Sequence, residues 1–329
     1  MEFQPLFIFS LPRAGSTLLQ KLLMAHSEIE SIAEPWILLP LVYAVKSGGI
    51  VAEYSHEAAS AALREFVGNL PRGEEDYYEA IGDLALSLYV KACRGRPKYF
   101  VDKTPRYYLI IPEIAKIFPR AKFIFLFRHP LAVYSSILQT YCTNRLRHLH
   151  RFAQDLFEGP LLLSRGLTQL KGENALVVNY ERLVADPGSV MEGICSFLGL
   201  NYEETALKAF AKQDLRGEMG DKSGSRSYSS ICADGVERWR ETFNTEYRVR
   251  HARRYLSALG EETLSVQGYP LHNVLAELEG AERSSRRGIR DRIDYLMSNA
   301  YRLLDGPYFS RLIRDFGRQE KGARYRIHR

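Results

Sequence analysis

Two short polar segments of the sequence each follow a run of hydrophobic residues and could bind an anion. The first is Pro12–Thr17, which we call the anion turn; it lies between the apolar run Leu6–Leu11 and the helical pattern of Leu18–Leu23. A strand, a tight turn and a helix N-terminus make an anion site, because unpaired backbone N–H groups and the positive end of the helix dipole converge there. This order of elements predicts a bound phosphate or a similar group.

The side chains of the anion turn suit the same purpose. Arg13 supplies charge, Ser16 and Thr17 supply hydroxyl donors, and Gly15 allows the backbone to approach a phosphate closely. The turn departs from the P-loop pattern GxxxxGK[ST], because Ser10 replaces its first glycine and Ser16 replaces its lysine. Taken alone, the turn favours phosphate binding only modestly over an ordinary connection between a strand and a helix.

The second polar segment is Arg128–Pro130, which follows the apolar run Lys122–Phe127 and precedes Ser136 by two helical turns. An arginine at the end of a strand and a serine on the following helix could hold one phosphate from two sides. A surface ion pair is the simpler use of Arg128. Two anion sites at the ends of two strands nevertheless favour a ligand with phosphates at both ends.

The elements that must position these residues are predicted from hydrophobic periodicity. Buried parallel strands are indicated at Leu6–Leu11, Tyr99–Asp102, Lys122–Phe127 and Ala175–Asn179. Helical spacing predicts helices at Ser16–His26, Ala58–Asn69, Tyr77–Cys93, Pro112–Phe118, Leu131–Tyr141, Gly188–Leu198, Glu203–Lys212, Val236–Phe243 and Tyr247–Leu259. Strands that alternate with helices predict an α/β fold of three layers, in which a central parallel sheet flanked by helices binds ligands at the carboxyl ends of its strands.

The distribution of charge separates the C-terminal part of the chain from the rest. Residues 283–329 hold 13 Lys and Arg against 5 Asp and Glu, a surplus of 8 in a chain of net charge +6, so the first 282 residues carry −2. We expect a main domain over 1–270 and a basic helical extension over 271–329. An amphipathic helix is predicted over Arg286–Arg318, with apolar residues at Ile289, Ile293, Leu296, Ala300 and Leu303.

The basic extension could contact an anionic membrane surface or another copy of the chain, although a solvated helix face is the simpler interpretation. No nucleic-acid partner is expected. The cysteines are scattered, without a CxxC pair or metal-ligand spacing: Cys93, Cys142, Cys195 and Cys232. Reduced thiols and a cytoplasmic location are therefore predicted. A strand pattern that starts at Pro5 predicts no signal peptide, and the longest apolar stretch, Pro35–Val45, is shorter than the roughly 20 residues that a membrane span needs.

The two motifs, in this order and at this separation, resemble those of the sulfotransferases that use 3′-phosphoadenosine 5′-phosphosulfate (PAPS). The anion turn is similar to the 5′-phosphosulfate loop of that family, with Ala14 in place of the usual serine. Arg128–Pro130, with Ser136 eight residues after the arginine, is similar to the 3′-phosphate motif. The resemblance covers most of Pro5–Phe243. It implies a P-loop-like fold and an enzyme that converts PAPS to adenosine 3′,5′-bisphosphate.

The resemblance also implies a role for each matching residue. The positions that would hold the 5′-phosphosulfate are Arg13, Ala14, Gly15, Ser16 and Thr17. Arg128 and Ser136 would hold the 3′-phosphate, and Lys222 or Arg226, in the polar segment Arg216–Ser230, would add to that site. This segment lacks the RKGxxGDWK form of the cytosolic enzymes, so a flexible surface loop explains it almost as well.

Sulfuryl transfer is expected, by analogy with phosphoryl transfer, to depend on positioning and charge stabilisation and to require no metal. The acceptor must lose a proton, so a general base is expected among the nearby residues Glu34, His26 and His129. Glu34 resembles the glutamate base of the branch that includes tyrosylprotein enzymes, although a carboxylate before Pro35 also suits a helix N-terminus. His26 better fits a helix end, and His129 better fits packing beside the 3′-phosphate site.

Lys103 completes the predicted catalytic group with Glu34 and Arg13. It resembles a lysine of the same branch that is taken to neutralise the leaving phosphate oxygen, and a surface lysine is the alternative. Asp102 either orients Lys103 or only ends its strand. Trp239 is predicted to belong to the core rather than to stack on adenine.

Three hypotheses about function remain at this point. A sulfotransferase acting on a small-molecule, lipid or glycan acceptor fits both motifs, with residues 35–95 predicted to shape the acceptor pocket. A P-loop kinase or NTPase is disfavoured, because Ser16 replaces the P-loop lysine and Arg128 stands where a Mg²⁺-binding aspartate would follow the strand. A non-catalytic nucleotide-binding protein is disfavoured by Glu34 and Lys103.

Overall fold

The computed structural model describes residues 3–170, 172, 174–217, 231, 235–280 and 288–304. Within them, one parallel sheet has the strand order β2-β3-β1-β4-β5. Its strands are β1 (Gln4–Ser10), β2 (Ile29–Ser31), β3 (Tyr99–Asp102), β4 (Lys122–Phe127) and β5 (Ala175–Asn179). The predicted parallel α/β sheet is confirmed. The strand that the sequence pattern missed is β2, which has three residues and only one large apolar side chain.

Helices surround the sheet. In chain order they are α1 (Ser16–Met24), α2 (Leu38–Tyr43), α3 (His56–Gly68), α4 (Glu74–Ala92), α5 (Ile111–Ile117), α6 (Pro130–Tyr141), α7 (Gly159–Gln169), α8 (Tyr180–Ala185), α9 (Pro187–Leu198), α10 (Ala206–Ala209), α11 (Trp239–Thr242), α12 (Glu246–Val266), α13 (Leu271–Glu279) and α14 (Ile289–Leu304). Short 3₁₀ helices cover Tyr107–Leu109, Leu146–Phe152 and Phe210–Lys212, and a π-helical turn covers Gln154–Glu158.

The alternation of side chains along the central strands divides the core into two parts. Phe7, Phe9 and Phe123 belong to one buried cluster, whose rings pack at centroid distances of 6.0 Å and 5.7 Å between neighbouring strands. Ile8 and Ile124, which are paired in register, belong to the other. Because successive side chains of a strand point to opposite faces, both faces must be covered. Helices α1, α8 and α9 cover one, and α4 to α7 cover the other together with α12.

The C-terminal helices begin with α12, which is interrupted at Gly260 by a positive φ of 80°. The predicted helix ended one residue earlier, at Leu259. Helix α13 adds Val274 and Leu278 to the main core cluster, and the domain boundary at residue 270 stays a prediction. Helix α14 confirms the part of the predicted helix Arg286–Arg318 that covers Ile289–Leu304, and residues 286, 287 and 305–318 lie outside the described part. None of the described helices combines the length and hydropathy that a membrane-spanning segment requires.

Candidate active site

A cleft of about 310 Å³ lies at the carboxyl ends of β1, β3 and β4. Parallel neighbours end at the same edge of a sheet, so the segments that follow these strands meet there. The sequence-predicted residues among its lining are Arg13, Gly15, Ser16, Thr17, Glu34, Lys103 and Arg128. The others are Pro12, Trp36, Pro105, Arg106, Tyr141, Phe152 and Asp155.

The anion turn has the backbone that a bound anion requires. Arg13 and Gly15 both have positive φ angles, 68° and 95°, and Gly15 is the N-cap of α1. The Gly15 carbonyl accepts from the N–H groups of Leu18 and Leu19, and no side chain of the described residues caps the helix. Ala14 packs its methyl group into the core. The N–H groups of Ser16 and Thr17, the first two of α1, are therefore the ones that could bind a ligand in the cleft.

Gly15 has a second reason to be glycine, because a Cβ at this position would lie 2.2 Å from a ring carbon of Tyr180. Gly15→Ala combines this clash with a left-handed backbone, so we expect it to lower the free energy of unfolding by about 2 kcal/mol or more. Urea titration measures the change. Gly193→Ala on α9 is the matched control, since its Cβ would meet nothing within 4 Å. Equal stabilities of the two variants would contradict the expected strain.

Arg128 joins the two predicted anion motifs. Its Nη1 donates to the Arg13 carbonyl oxygen at 3.1 Å, and its guanidinium lies 4.4 Å from the centroid of the Tyr180 ring. The Arg13 side chain in turn donates from Nε to Ser136 Oγ at 3.2 Å. The Nε atom of Arg128 is buried and has no hydrogen-bond acceptor among the described residues. The two predicted anion motifs are therefore in direct contact, and anion binding by Arg128 and Ser136 stays a prediction.

Two of the remaining predictions near Arg128 concern described residues, and two concern residues outside the described part of the chain. His129 stacks on Trp239 at a centroid distance of 4.8 Å, and Trp239 is buried in the core, as predicted. Lys222 and Arg226 lie outside the described residues, as does most of the polar segment to which they belong.

Glu34 and Lys103 form an ion pair at the floor of the cleft. The Lys103 ammonium donates to Glu34 Oε1 at 2.7 Å, and the Trp36 indole Nε1 donates to Glu34 Oε2 at 3.2 Å. The Lys103 side chain is only 3% exposed and the Glu34 side chain only 9% exposed. A cation and a carboxylate at such a position suit charge stabilisation and proton transfer, respectively.

A buried carboxylate beneath this pair organises the same region. Asp102 accepts hydrogen bonds from the hydroxyl groups of Tyr89 (2.5 Å), Tyr107 (2.9 Å) and Thr104 (3.0 Å). Its complete burial raises the pKa of Asp102 to about 6, and these donors partly oppose that rise. The carboxylate therefore fixes the orientation of three hydroxyl groups.

Two of these hydroxyl groups hold the segment that carries Glu34. Thr104 Oγ1 accepts from the Trp36 N–H, and the Tyr107 hydroxyl accepts from the Leu38 N–H, both at 3.3 Å. Trp36 has a positive φ of 57°, a backbone conformation that a tryptophan adopts only under external constraint. Asp102 ends β3, which is one of the two alternatives predicted for it, and it also positions the Glu34 segment through Thr104 and Tyr107.

His26 is removed from the candidate bases by its surroundings. Its Nε2 lies 2.8 Å from the Asn201 carbonyl oxygen, and its Nδ1 accepts from the Glu28 N–H at 3.1 Å. Both ring nitrogens have hydrogen-bond partners, the ring is buried, and it does not line the cleft.

The part of the cleft lining that sequence reasoning missed lies outside the anion turn, Arg128 and the Glu34 and Lys103 pair. The rings of Tyr141 and Phe152 stack at 5.0 Å, and Arg106 donates twice to Asp155, at 3.2 Å and 2.9 Å. Asp155 is buried. Only Trp36 comes from the range 35–95 in which the pocket was predicted. The aromatic side chains of Tyr141 and Phe152 were the one signal in the sequence for this part of the cleft. They do not indicate which distant segments of the chain come together there.

These features define an α/β protein in which a strand-turn-helix segment, an arginine at the end of the neighbouring strand and a charged pair line the same cleft. The model of the sulfotransferase family matches residues 5–204. The chain therefore belongs to the sulfotransferase family of enzymes, and the family predicted from the motifs is confirmed.

Similar proteins agree with this assignment. The chain is 27% identical to the nodulation protein NoeE of Sinorhizobium fredii over 288 residues, which cover 80% of this chain and 65% of NoeE, just under two thirds of that relative. It is 24% identical to a putative protein-tyrosine sulfotransferase of Caenorhabditis briggsae, covering 80% of this chain and 90% of that protein. The sulfotransferase domain of the Synechococcus PCC 7002 olefin synthase has the same fold, with a TM-score of 0.52, 24% identity and coverage of 81% and 94%.

Proposed function

We propose that the protein transfers a sulfuryl group from PAPS to a hydroxyl or amine of a small-molecule, lipid or glycan acceptor. The observation that carries the proposal is the junction of the two anion motifs, in which Arg128 binds the Arg13 carbonyl and Arg13 binds Ser136. Arg13 and Arg128 line one cleft with the Glu34 and Lys103 pair, and Ser136 lies behind Arg13, outside the cleft lining. The reduced-thiol prediction supports a cytoplasmic location, which we also propose.

The donor would be held from its two ends. The N–H groups that open α1, together with the Ser16 and Thr17 hydroxyls, suit the 5′-phosphosulfate, since no described side chain caps them. Arg128 and Ser136 suit the 3′-phosphate, because the buried Nε of Arg128 has an unused hydrogen and Ser136 lies beside the same turn. PAPS supplies the sulfuryl group, and these residues fix its position.

The charged pair would then divide the chemistry between its members. As the acceptor oxygen or nitrogen bonds to sulfur, the bond from sulfur to the bridging phosphate oxygen breaks, and the acceptor proton passes to the Glu34 carboxylate. Lys103 and Arg13 would balance the negative charge that develops on the leaving oxygen of adenosine 3′,5′-bisphosphate. Lys103 already lies 2.7 Å from Glu34, so the groups that handle the proton and the leaving charge are adjacent.

Ligand discrimination tests the proposal. Because the site has two separate anion positions, adenosine 3′,5′-bisphosphate should bind without Mg²⁺ and at least about tenfold more tightly than 5′-AMP. Isothermal titration calorimetry measures both, with ATP and Mg²⁺ as the comparison. Transfer of labelled sulfate from PAPS to a panel of acceptors then tests catalysis. Preferential binding and turnover of ATP would assign the cleft to a kinase or NTPase, and donor binding without transfer or sulfate release would assign it to a binding protein.

A further inference from the structure

Helix α14 contacts the rest of the protein through its polar face. Arg145 donates to both oxygens of Asp294, at 2.9 Å and 2.6 Å, and Asp294 is 2% exposed. Arg248 donates to Asp291 at 2.9 Å. Ser298 Oγ accepts a hydrogen bond from the backbone N–H of His150, in the segment Leu146–Phe152, at 3.0 Å. Ion pairs and hydrogen bonds therefore fix the rotation of this helix about its axis.

The opposite face of α14 is apolar and exposed. It consists of Ile289, Ile293, Leu296, Met297 and Ala300, which we call the outer stripe. Ile289, Ile293 and Leu296 are 68%, 55% and 61% exposed. A surface helix normally directs its apolar stripe at the core. Here the polar face takes that position, so the outer stripe points away from the described part of the protein.

Basic residues flank the outer stripe. Arg290 and Arg292 are both exposed and, at 100° per residue, lie on opposite sides of the stripe. The segment 283–329 to which they belong carries the surplus of 8 positive charges, whereas the first 282 residues carry −2. An apolar face bordered by arginines is the pattern of helices that lie in the interface of an anionic membrane.

The position of α14 connects the outer stripe with the cleft. The helix packs on Leu146–Phe152, and Tyr301 lies 5.5 Å from His150 between ring centroids. Phe152, at the end of the same segment, lines the cleft and stacks on Tyr141. Helix α14 is therefore linked to the cleft lining through the segment Leu146–Phe152.

We propose that the outer stripe docks the protein onto an anionic phospholipid bilayer. The apolar side chains would enter the boundary between headgroups and acyl chains, and Arg290 and Arg292 would contact the lipid phosphates. The ion pairs of Asp291 and Asp294 would hold the helix to the enzyme during docking. This inference does not depend on the identity of the sulfuryl donor or acceptor.

Vesicle binding tests the proposal with the full chain. The protein should sediment with vesicles of equal parts phosphatidylcholine and phosphatidylglycerol, less with phosphatidylcholine alone, and less at high salt. The double substitution Ile293→Glu and Leu296→Glu should weaken binding at least about tenfold. Phe66→Glu is the matched control, because Phe66 is also apolar and is 63% exposed on α3. Circular dichroism and binding of adenosine 3′,5′-bisphosphate should be unchanged in both variants.

Three results would overturn the proposal. One is failure to bind the anionic vesicles, or binding that the double substitution leaves intact. Another is a protein that does not bind lipid but forms a dimer in light scattering, with the dimer lost in the double variant. That result would assign the outer stripe to contact with a second copy of the chain. The third is protection of Met297 from oxidation in the lipid-free monomer, which would show that another part of the chain covers the stripe.

Discussion

Replacing Glu34 with glutamine is expected to lower the rate of sulfuryl transfer by about a hundredfold or more, with the affinity for adenosine 3′,5′-bisphosphate retained. The amide keeps the shape of the side chain and an oxygen that can accept from Lys103, but it cannot take the acceptor proton. Single-turnover transfer at saturating PAPS measures the chemical step, and calorimetry measures the affinity.

The matched control for this prediction is Trp36→Phe. It removes the indole donor to Glu34 Oε2 but leaves the carboxylate and its pairing with Lys103. We therefore expect a smaller loss, within about tenfold, as for a single hydrogen bond. If the Glu34→Gln variant transfers the sulfuryl group at the rate of the unsubstituted protein, the general base is another residue. Equal losses in both variants would indicate that Glu34 acts through the local structure rather than by proton transfer.

The sequence predicted the part of the cleft around the anion turn and Arg128 because that part is built from local patterns. The anion turn and Arg128 each follow an apolar strand and precede a helix, and parallel strands bring such segments to one edge without further information. The rest of the cleft lining has no such pattern. Tyr141, Phe152 and Asp155 lie at the end of α6 and in irregular helical turns, and only the packed structure shows that they face Trp36.

Asp102 and α14 show where local reasoning fails for a physical reason. A carboxylate at the end of a strand does not reveal that Tyr89 and Tyr107 will reach it from other elements. The apolar period of α14 predicted the helix correctly, but it does not show that the apolar face, which in a surface helix normally packs on the core, points away from it here. Arg145 pairs with Asp294 and Arg248 pairs with Asp291, and these ion pairs turn the polar face of α14 toward the rest of the protein. Such pairings depend on contacts far apart in sequence.

Replacing Arg128 with alanine is expected to weaken binding of adenosine 3′,5′-bisphosphate by about 2 kcal/mol, or roughly thirtyfold. The guanidinium would lose its contact with the 3′-phosphate, and the variant would also lose the hydrogen bond to the Arg13 carbonyl that supports the anion turn. Calorimetry gives the dissociation constant. Arg165→Ala, at an exposed position on α7, should leave it unchanged.

The two effects of Arg128→Ala can be separated by comparing ligands. If the guanidinium binds the 3′-phosphate, affinity for the bisphosphate should fall much more than affinity for 5′-AMP, because 5′-AMP has no group for Arg128 to contact. The difference between the two losses is the coupling between Arg128 and the 3′-phosphate, as in a double-mutant cycle. Equal losses would mean that Arg128 acts only by supporting the anion turn through Arg13, and no loss for either ligand would remove it from the site. A large coupling energy would show that the 3′-phosphate is bound separately from the 5′-phosphate, which distinguishes a PAPS site from a simple P-loop.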